Sequence, residues 1–335
     1  MKHIPYSILL IVFIVAYGCN KEDDNNDLFD LRQWQKHIDS TSQLVIIIPD
    51  IQMYTTMGQN TKYLDSMLTR LIRLEDRGYK IKAVLQTGDI TNSHEEWEWK
   101  TAKNLFSELD GKIPYILCTG NHDYSGGTRE TYYNSYFDFT GTPYFVTSLE
   151  KGKFDNSLFN ISVFNHTFQI FSLEFAPDNE VLAWADSIVK ANPEKIGMVL
   201  THAYLYEDNV RFDFSTYGYD QLNTPHGYSV SENESINDGE EIWQKLIYHN
   251  DAFRFVVCGH MDYPDFVGNL VSKNAYDNPC LQMLFDTQSF PEGGSGFIQV
   301  LEFRKDQKSV KVSTCSLLEN IWLTTLNCNY WFSYR

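Results

Sequence analysis

The run LVIIIPDIQMY, residues 44–54, opens with five consecutive apolar side chains and then turns into a proline, a carboxylate and an amide. Residues 44–48 read as a short β-branched strand. Asp50 stands where that strand gives way to a loop, a place where α/β sheets collect functional groups. Gln52, two residues on, occupies a position where a metal-binding histidine would look more natural. The stretch therefore admits three readings: a damaged metal site, a differently tuned one, or the polar end of a strand.

Working outward, Leu64, Met67, Leu68, Leu71 and Ile72 follow helical spacing, and Gly78 supplies the stop. IKAVLQT (81–87) predicts the next strand. Ser93 and Glu96 have capping-box spacing, and Trp97, Thr101, Leu105 and Leu109 recur every four residues, so 94–109 is expected to be a helix. PYILCT (114–119) is strand again. This β-α-β-α-β opening places polar clusters immediately after strand ends. The middle, YFVTSLE, LFNISVF and TFQIFSLEF, is antiparallel in flavour, and a helix over 178–192 leads into the strand IGMVL. Residues 204–234 form a long aromatic loop, of a length that is more often functional than idle. A helix over 238–249 and the strands FRFVVC, CLQMLF, GFIQVLEF and SVKVSTC complete the pattern. There are no internal repeats, so 43–335 is expected to be a single layered α/β domain with an aromatic insertion at about 204–234. Residues 320–335 are rich in aromatic side chains but carry no usable periodicity.

The chain has 335 residues, of which 43% are hydrophobic and 15% aromatic, enough for a substantial core. Its first 18 residues place Lys2 ahead of the apolar run YSILLIVFIVAY, an export signal too short to span a membrane comfortably. With Cys19 directly after Gly18, the segment resembles a bacterial lipoprotein signal, which implies lipidation of Cys19 and a lipid anchor to the membrane. The following CNKEDD resembles the acidic signal that sends such proteins to the outer face of the outer membrane, and 19–42 reads as a polar tether. The alternative is a cleaved secretory signal with a chance cysteine. Without residues 1–18 the chain carries 26 basic against 44 acidic side chains, a net −18. That charge argues against nucleic-acid binding. No obligate protein partner is implied. Five cysteines remain, Cys118 and Cys258 inside apolar runs, so a disulfide framework is not expected; one bridge among Cys280, Cys315 and Cys328 stays open.

Asp50, Asp89, Asn121, His202, His260 and Asp262 share one property with His122: each lies at or just past the end of an apolar strand, in PD, TGD, TGNHD, LTH and CGHMD. Five consecutive strand-end clusters of oxygen and imidazole donors point to a metal site. In order and composition they resemble the calcineurin-like metallophosphoesterases, whose strand ends carry Asp-x-His, Gly-Asp, Gly-Asn-His-Asp/Glu, a single His and Gly-His-x-His. The Trp97 neighbourhood and LEFAPDNEVLAW (173–184) are similar to an exported bacterial branch of that family with glutamine in the first motif. The resemblance implies a four-layer α/β/β/α sandwich with two packed mixed sheets. It also implies two divalent ions bridged by Asp89, one held by Asn121, His202 and His260, the other by Asp50 with Gln52 and Asp262 in place of histidines. The first position suits manganese, iron or zinc; the second, all oxygen, suits manganese, magnesium or calcium. His122 is then placed to stabilise or protonate at the phosphoryl group, with Asp123 able to orient it. The implied activity is hydrolysis of a phosphomonoester or phosphodiester of a small molecule by a hydroxide held between two metals. Asn92, Tyr124, Tyr204 and the aromatic loop are candidates for the substrate wall, and Lys103 or Arg211 for a phosphate clamp. The competing class is a surface binding lipoprotein that keeps the fold without the catalysis.

Overall fold

A computed structural model describes residues 31–231 and 235–335. The signal, Cys19 and the tether as far as residue 30 lie outside the described residues. The opening folds as expected: β1 (Gln43–Ile48), β2 (Lys80–Gln86) and β3 (Tyr115–Leu117) are mutually parallel. β4 (Phe145–Ser148), β5 (Ser157–Val163) and β6 (His166–Ser172) form an antiparallel meander that continues into β7 (Ile196–Leu200) in parallel. A small hairpin, β8 (Leu205–Tyr206) with β9 (Val210–Arg211), gives the aromatic insertion more structure than a loop. β10 (Phe253–Cys258), β11 (Val267–Lys273) and β12 (Pro279–Phe285) follow, with β10 parallel to both β7 and β12. The chain then returns through β13 (Phe297–Phe303), β14 (Ser309–Ser316) and β15 (Asn329–Ser333), which add antiparallel to β1.

The result is two mixed sheets, a six-stranded one ordered β15-β14-β13-β1-β2-β3 and a seven-stranded one ordered β11-β12-β10-β7-β6-β5-β4. They meet face to face through ring contacts such as Phe168–Phe303 at 5.0 Å and Phe255–Phe332 at 5.6 Å. Thr61–Asp76 and Glu96–Phe106 pack with the first sheet in the larger core. Asn179–Ala191 and the turns at Gly239–Ile247 share a second core with the outward face of the second sheet. The topology brings the carboxyl ends of six parallel strands, β1, β2, β3 and β7, β10, β12, to one rim.

Several local expectations are corrected. The helix expected over 94–109 runs Glu96–Phe106 and continues as a 3₁₀ turn, and its capping box is Glu95 with Glu98, not Ser93 with Glu96. Glu98 wins because its carboxylate also accepts from the Asn92 and Ser93 N–H groups, so it closes the preceding loop as well. Trp97 of the predicted stripe is 49% exposed; Trp99, Ala102, Leu105 and Phe106 face the core. The helix expected over 238–249 is one α-turn that widens into a π-turn at Trp243–Ile247. The polar tether does not extend to 42: Leu31–His37 is helical and Trp34 is buried against Tyr79 and Trp322. The aromatic carboxyl terminus becomes β15, with Phe332 and Tyr334 in the core. Cys118, Cys258, Cys280, Cys315 and Cys328 are buried free thiols, so the bridge left open among the last three does not form. Among the described residues no helix is long and apolar enough to cross a membrane.

Candidate metal centre

β1 delivers Asp50, β2 delivers Asp89 and β3 delivers Asn121 from the first sheet; β7 delivers His202 and β10 delivers His260 from the second. Asp50, Asp89, His202 and His260 are all buried. One oxygen or nitrogen each from Asp50, Asp89 and His202 lie within 4.8 Å of one another, close enough to share an ion. Two motif glycines make this approach possible. A Cβ on Gly120 would lie 2.0 Å from Asp89 Oδ1, and one on Gly259 would lie 2.0 Å from Asp50 Oδ1. Asp89 and His260 themselves hold positive φ, +50° and +77°, conformations that cost free energy and concentrate at functional sites.

The imidazoles reveal what the cluster is built to hold. His202 Nδ1 sits 2.8 Å from the Thr87 carbonyl, and His260 Nε2 sits 2.8 Å from the Asn223 carbonyl. Carbonyl oxygens only accept, so these nitrogens carry the hydrogens and each ring turns a lone pair inward. The inward nitrogens, His202 Nε2 and His260 Nδ1, are 3.0 Å apart. Asn121 Oδ1 lies 3.1 Å and Asp89 Oδ1 lies 3.4 Å from that same His202 nitrogen. Four acceptors converging at these separations match the edges of a coordination polyhedron with ligands about 2.0–2.2 Å from a divalent ion. The carbonyl contacts are the outer partners that fix tautomer and ring orientation in metal-binding histidines.

The second position is lined by oxygen. Asp50 Oδ1 accepts from Thr87 Oγ1 at 3.0 Å and Oδ2 from the His260 N–H at 3.1 Å. Gln52 is buried, and its Nε2 donates to Asp89 Oδ2 at 3.1 Å. Its Oε1, also buried, has no protein partner. An orphaned amide oxygen in a buried acidic site fits a cation ligand. Asp262 is half-buried and accepts from Ser289 Oγ, so it stands beside this group with its carboxylate engaged elsewhere.

Electrostatics agree. Burial pushes Asp50 up, and Asp286 and Asp89 push it further. Burial also acts to raise Asp89, but the neighbouring His202 and His122 imidazoles, with the His122 N–H, hold it at about 2. Burial and the neighbouring His202 depress His260 to about 3; burial also acts to lower His202, but Asp89, the Thr87 carbonyl and Asp123 together raise it. The main charges acting on Asp50, Asp89 and Asp123 are one another, Asp286, His202 and His122; no lysine or arginine is among them. Buried carboxylates without a basic side chain call for a bound cation.

His122 is exposed, and its Nδ1 donates to the Asn92 carbonyl at 2.7 Å while its backbone N–H donates to Asp89 Oδ1 at 3.0 Å. Asn92 therefore orients the ring through its backbone. Asp123, expected to do so, is instead a loop tie: its carboxylate accepts from the N–H groups of Ile90, Thr91 and Gly120 and from Thr91 Oγ1. Burial and Asp89 raise it to about 7. The tyrosines and basic side chains expected to face a substrate are also placed differently. Tyr124 and Tyr204 are buried in the second core, bonded to Thr119 and Gln282. Arg211 is held by Glu240, Gln282 and Ser272 and covers Trp243, and Lys103 lies over Phe137, so neither reaches in as a clamp. A cleft of about 610 Å³ instead opens beside Gln288, lined by Met53, Met57, Lys62, Tyr63 and Phe290.

One strand end escaped the sequence reading. CLQMLF runs straight into Asp286-Thr287-Gln288, repeating the Asp-x-Gln of residues 50–52. Asp286 is buried at the same rim.

Fold and site together define a two-sheet α/β protein with a buried acid-and-imidazole cluster at its strand-end rim that could hold a metal ion. The family model for the calcineurin-like phosphoesterases matches residues 44–264, well over half of the chain, and the chain belongs to that family. YvnB of Bacillus subtilis, a protein of uncharacterised function, is 26% identical over 282 residues. That match covers 80% of this chain and 20% of YvnB, so the chain spans about a fifth of its relative. The solved sulfate thiohydrolase SoxB of Thermus thermophilus, in complex with glycerol, aligns with a TM-score of 0.44 at 12% identity, over 84% of this chain and 58% of that one.

Proposed function

We propose that the protein is an exported, metal-dependent phosphoesterase that hydrolyses a phosphomonoester or phosphodiester of a small molecule. The observation that carries this is the pair of inward lone pairs on His202 and His260, 3.0 Å apart beside Asn121 and Asp89, next to the buried Asp50–Gln52 group. Two divalent ions, when bound, supply the Lewis acidity that activates water and neutralises charge developing on the phosphoryl oxygens. The position of Asn121, His202, His260 and Asp89 suits manganese, iron or zinc; the oxygen-rich position suits manganese, magnesium or calcium.

The chain's own residues do the rest. Asp89 offers one oxygen to each position. His122, aligned by the Asn92 carbonyl, keeps Nε2 available to hold a proton for the departing oxygen. The cleft beside Gln288, with methionine and aromatic walls and Lys62 at its edge, receives the leaving group. Turnover of p-nitrophenyl phosphate and bis(p-nitrophenyl) phosphate by the purified chain is expected to need added manganese, magnesium or zinc. Absence of turnover across both esters and a broad ion panel would instead favour a binding protein that retained the fold.

The amino-terminal segment supports placement at the cell envelope as a lipoprotein, anchored through Cys19 at the outer membrane. Cys19→Ser is expected to move the protein from the membrane to the soluble fraction; an unchanged membrane fraction would remove the anchor from this account.

A further inference from the structure

The repeated Asp-x-Gln has a geometry of its own. Asp50-Ile51-Gln52 leaves β1 in one sheet and Asp286-Thr287-Gln288 leaves β12 in the other, and the two tripeptides meet side chain to side chain across the rim. Asp286 and Asp50 are both fully buried at this rim. Gln52 Nε2 donates to Gln288 Oε1 as well as to Asp89. Gln288 in turn folds back on Asp286, its side-chain Nε2 donating to Oδ2 and its backbone N–H to Oδ1, each at 2.9 Å. Asp286 is fully buried, and so is the unpartnered Oε1 of Gln52. Buried carboxyl groups gathered at one rim are stabilised by a cation held among them.

We infer that Asp286 is a ligand of the oxygen-rich ion position, and that Gln288 is a positioning residue that holds both Asp286 and Gln52 toward it. This rests on the metal-dependent reading above and deepens it. The ion would then meet Asp50, Asp89, Asp286 and the Gln52 amide oxygen, a hard set suited to manganese, magnesium or calcium. Asp262, bonded to Ser289, stays at the edge of the site. Gln52 is thereby explained: β12 supplies a carboxylate from the facing sheet, so a second imidazole on the first motif is not required.

The test is manganese binding to the full chain, followed by the loss of the free-ion electron paramagnetic resonance signal and by elemental analysis after dialysis. Wild type is expected to hold two ions. Asp286→Asn, nearly isosteric, is expected to hold one tightly and the second at least about tenfold more weakly, and Gln288→Ala to weaken that same second ion by about 10- to 100-fold. Circular dichroism checks that each variant is folded, and Gln288→Ala carries the test if Asp286→Asn is not. Two ions bound with wild-type affinity in the folded variants would overturn the role of Asp286 and Gln288 alone. A wild-type chain that binds no manganese would overturn the metal-dependent reading as well.

Discussion

Asp89→Asn is expected to reduce kcat/KM by about 10³-fold or more and to weaken both ions together, while the fold survives. The carboxylate accepts on both oxygens, from the His122 N–H on one and from Gln52 Nε2 on the other. An asparagine has a single acceptor, so one of these donors would face another donor, at a cost of about 1–3 kcal/mol. Removing a buried negative charge offsets part of that, because burial itself disfavours the ionised form here. The catalytic loss has no such compensation. A group that lies 3.4 Å from His202 Nε2 and is also in hydrogen-bond contact with Gln52 would serve both proposed ion positions, and several kcal/mol of transition-state stabilisation would go with its charge. Kinetics on a diester together with metal content would separate the outcomes. Near-normal turnover with two ions bound would mean that Asp89 does not bridge.

His122→Ala is the second large effect, of a different kind: kcat is expected to fall by about 10²- to 10⁴-fold with both ions retained. The ring is exposed and its one protein hydrogen bond runs from Nδ1 to the Asn92 carbonyl, so truncation opens no cavity in the core. If Nε2 protonates the departing oxygen, the loss should be large for alkyl esters, whose alkoxide leaves poorly, and small for nitrophenyl esters, whose phenolate leaves readily. Equal losses across that series would point to phosphoryl binding. No loss with any ester would remove His122 from the chemistry.

The sequence carried much of this because strand ends are legible. Apolar runs followed by Pro-Asp, Gly-Asp, Gly-Asn-His-Asp, Thr-His or Gly-His mark both the strands and the rim they share, and β1, β2, β3, β7 and β10 all lie where those runs stand. Gly120 and Gly259 belong to the same signal, because the close approaches to Asp89 and Asp50 leave no room for a side chain. What could not be read depends on which way side chains turn. Tyr124 and Tyr204 look like substrate contacts from their neighbours in sequence, yet both point into the second core. Asp123 sits next to His122 in the chain, yet its oxygens are taken by the N–H groups of residues 90, 91 and 120.

Asp286 was missed for another reason. Its strand, CLQMLF, is legible as an apolar run, but the family's motif order ends at the segment that here reads Gly-His-Met-Asp, and a further strand end has no place in it. The signal was present in the sequence, as a second Asp-x-Gln after an apolar run. β11 escaped because VGNLVSK mixes a glycine with polar residues; it forms because the antiparallel pairing with β12 supplies its backbone partners.

The central claim, that this rim is a two-ion hydrolytic centre, is tested most directly by reversible chelation. Turnover of bis(p-nitrophenyl) phosphate and metal content are measured on one sample, before dialysis against a chelator, after it, and during stepwise return of manganese. The expected result is loss of turnover with loss of metal and recovery that reaches its plateau at two ions per chain. Turnover that persists in metal-free protein, or that recovers fully at one ion per chain, would contradict it.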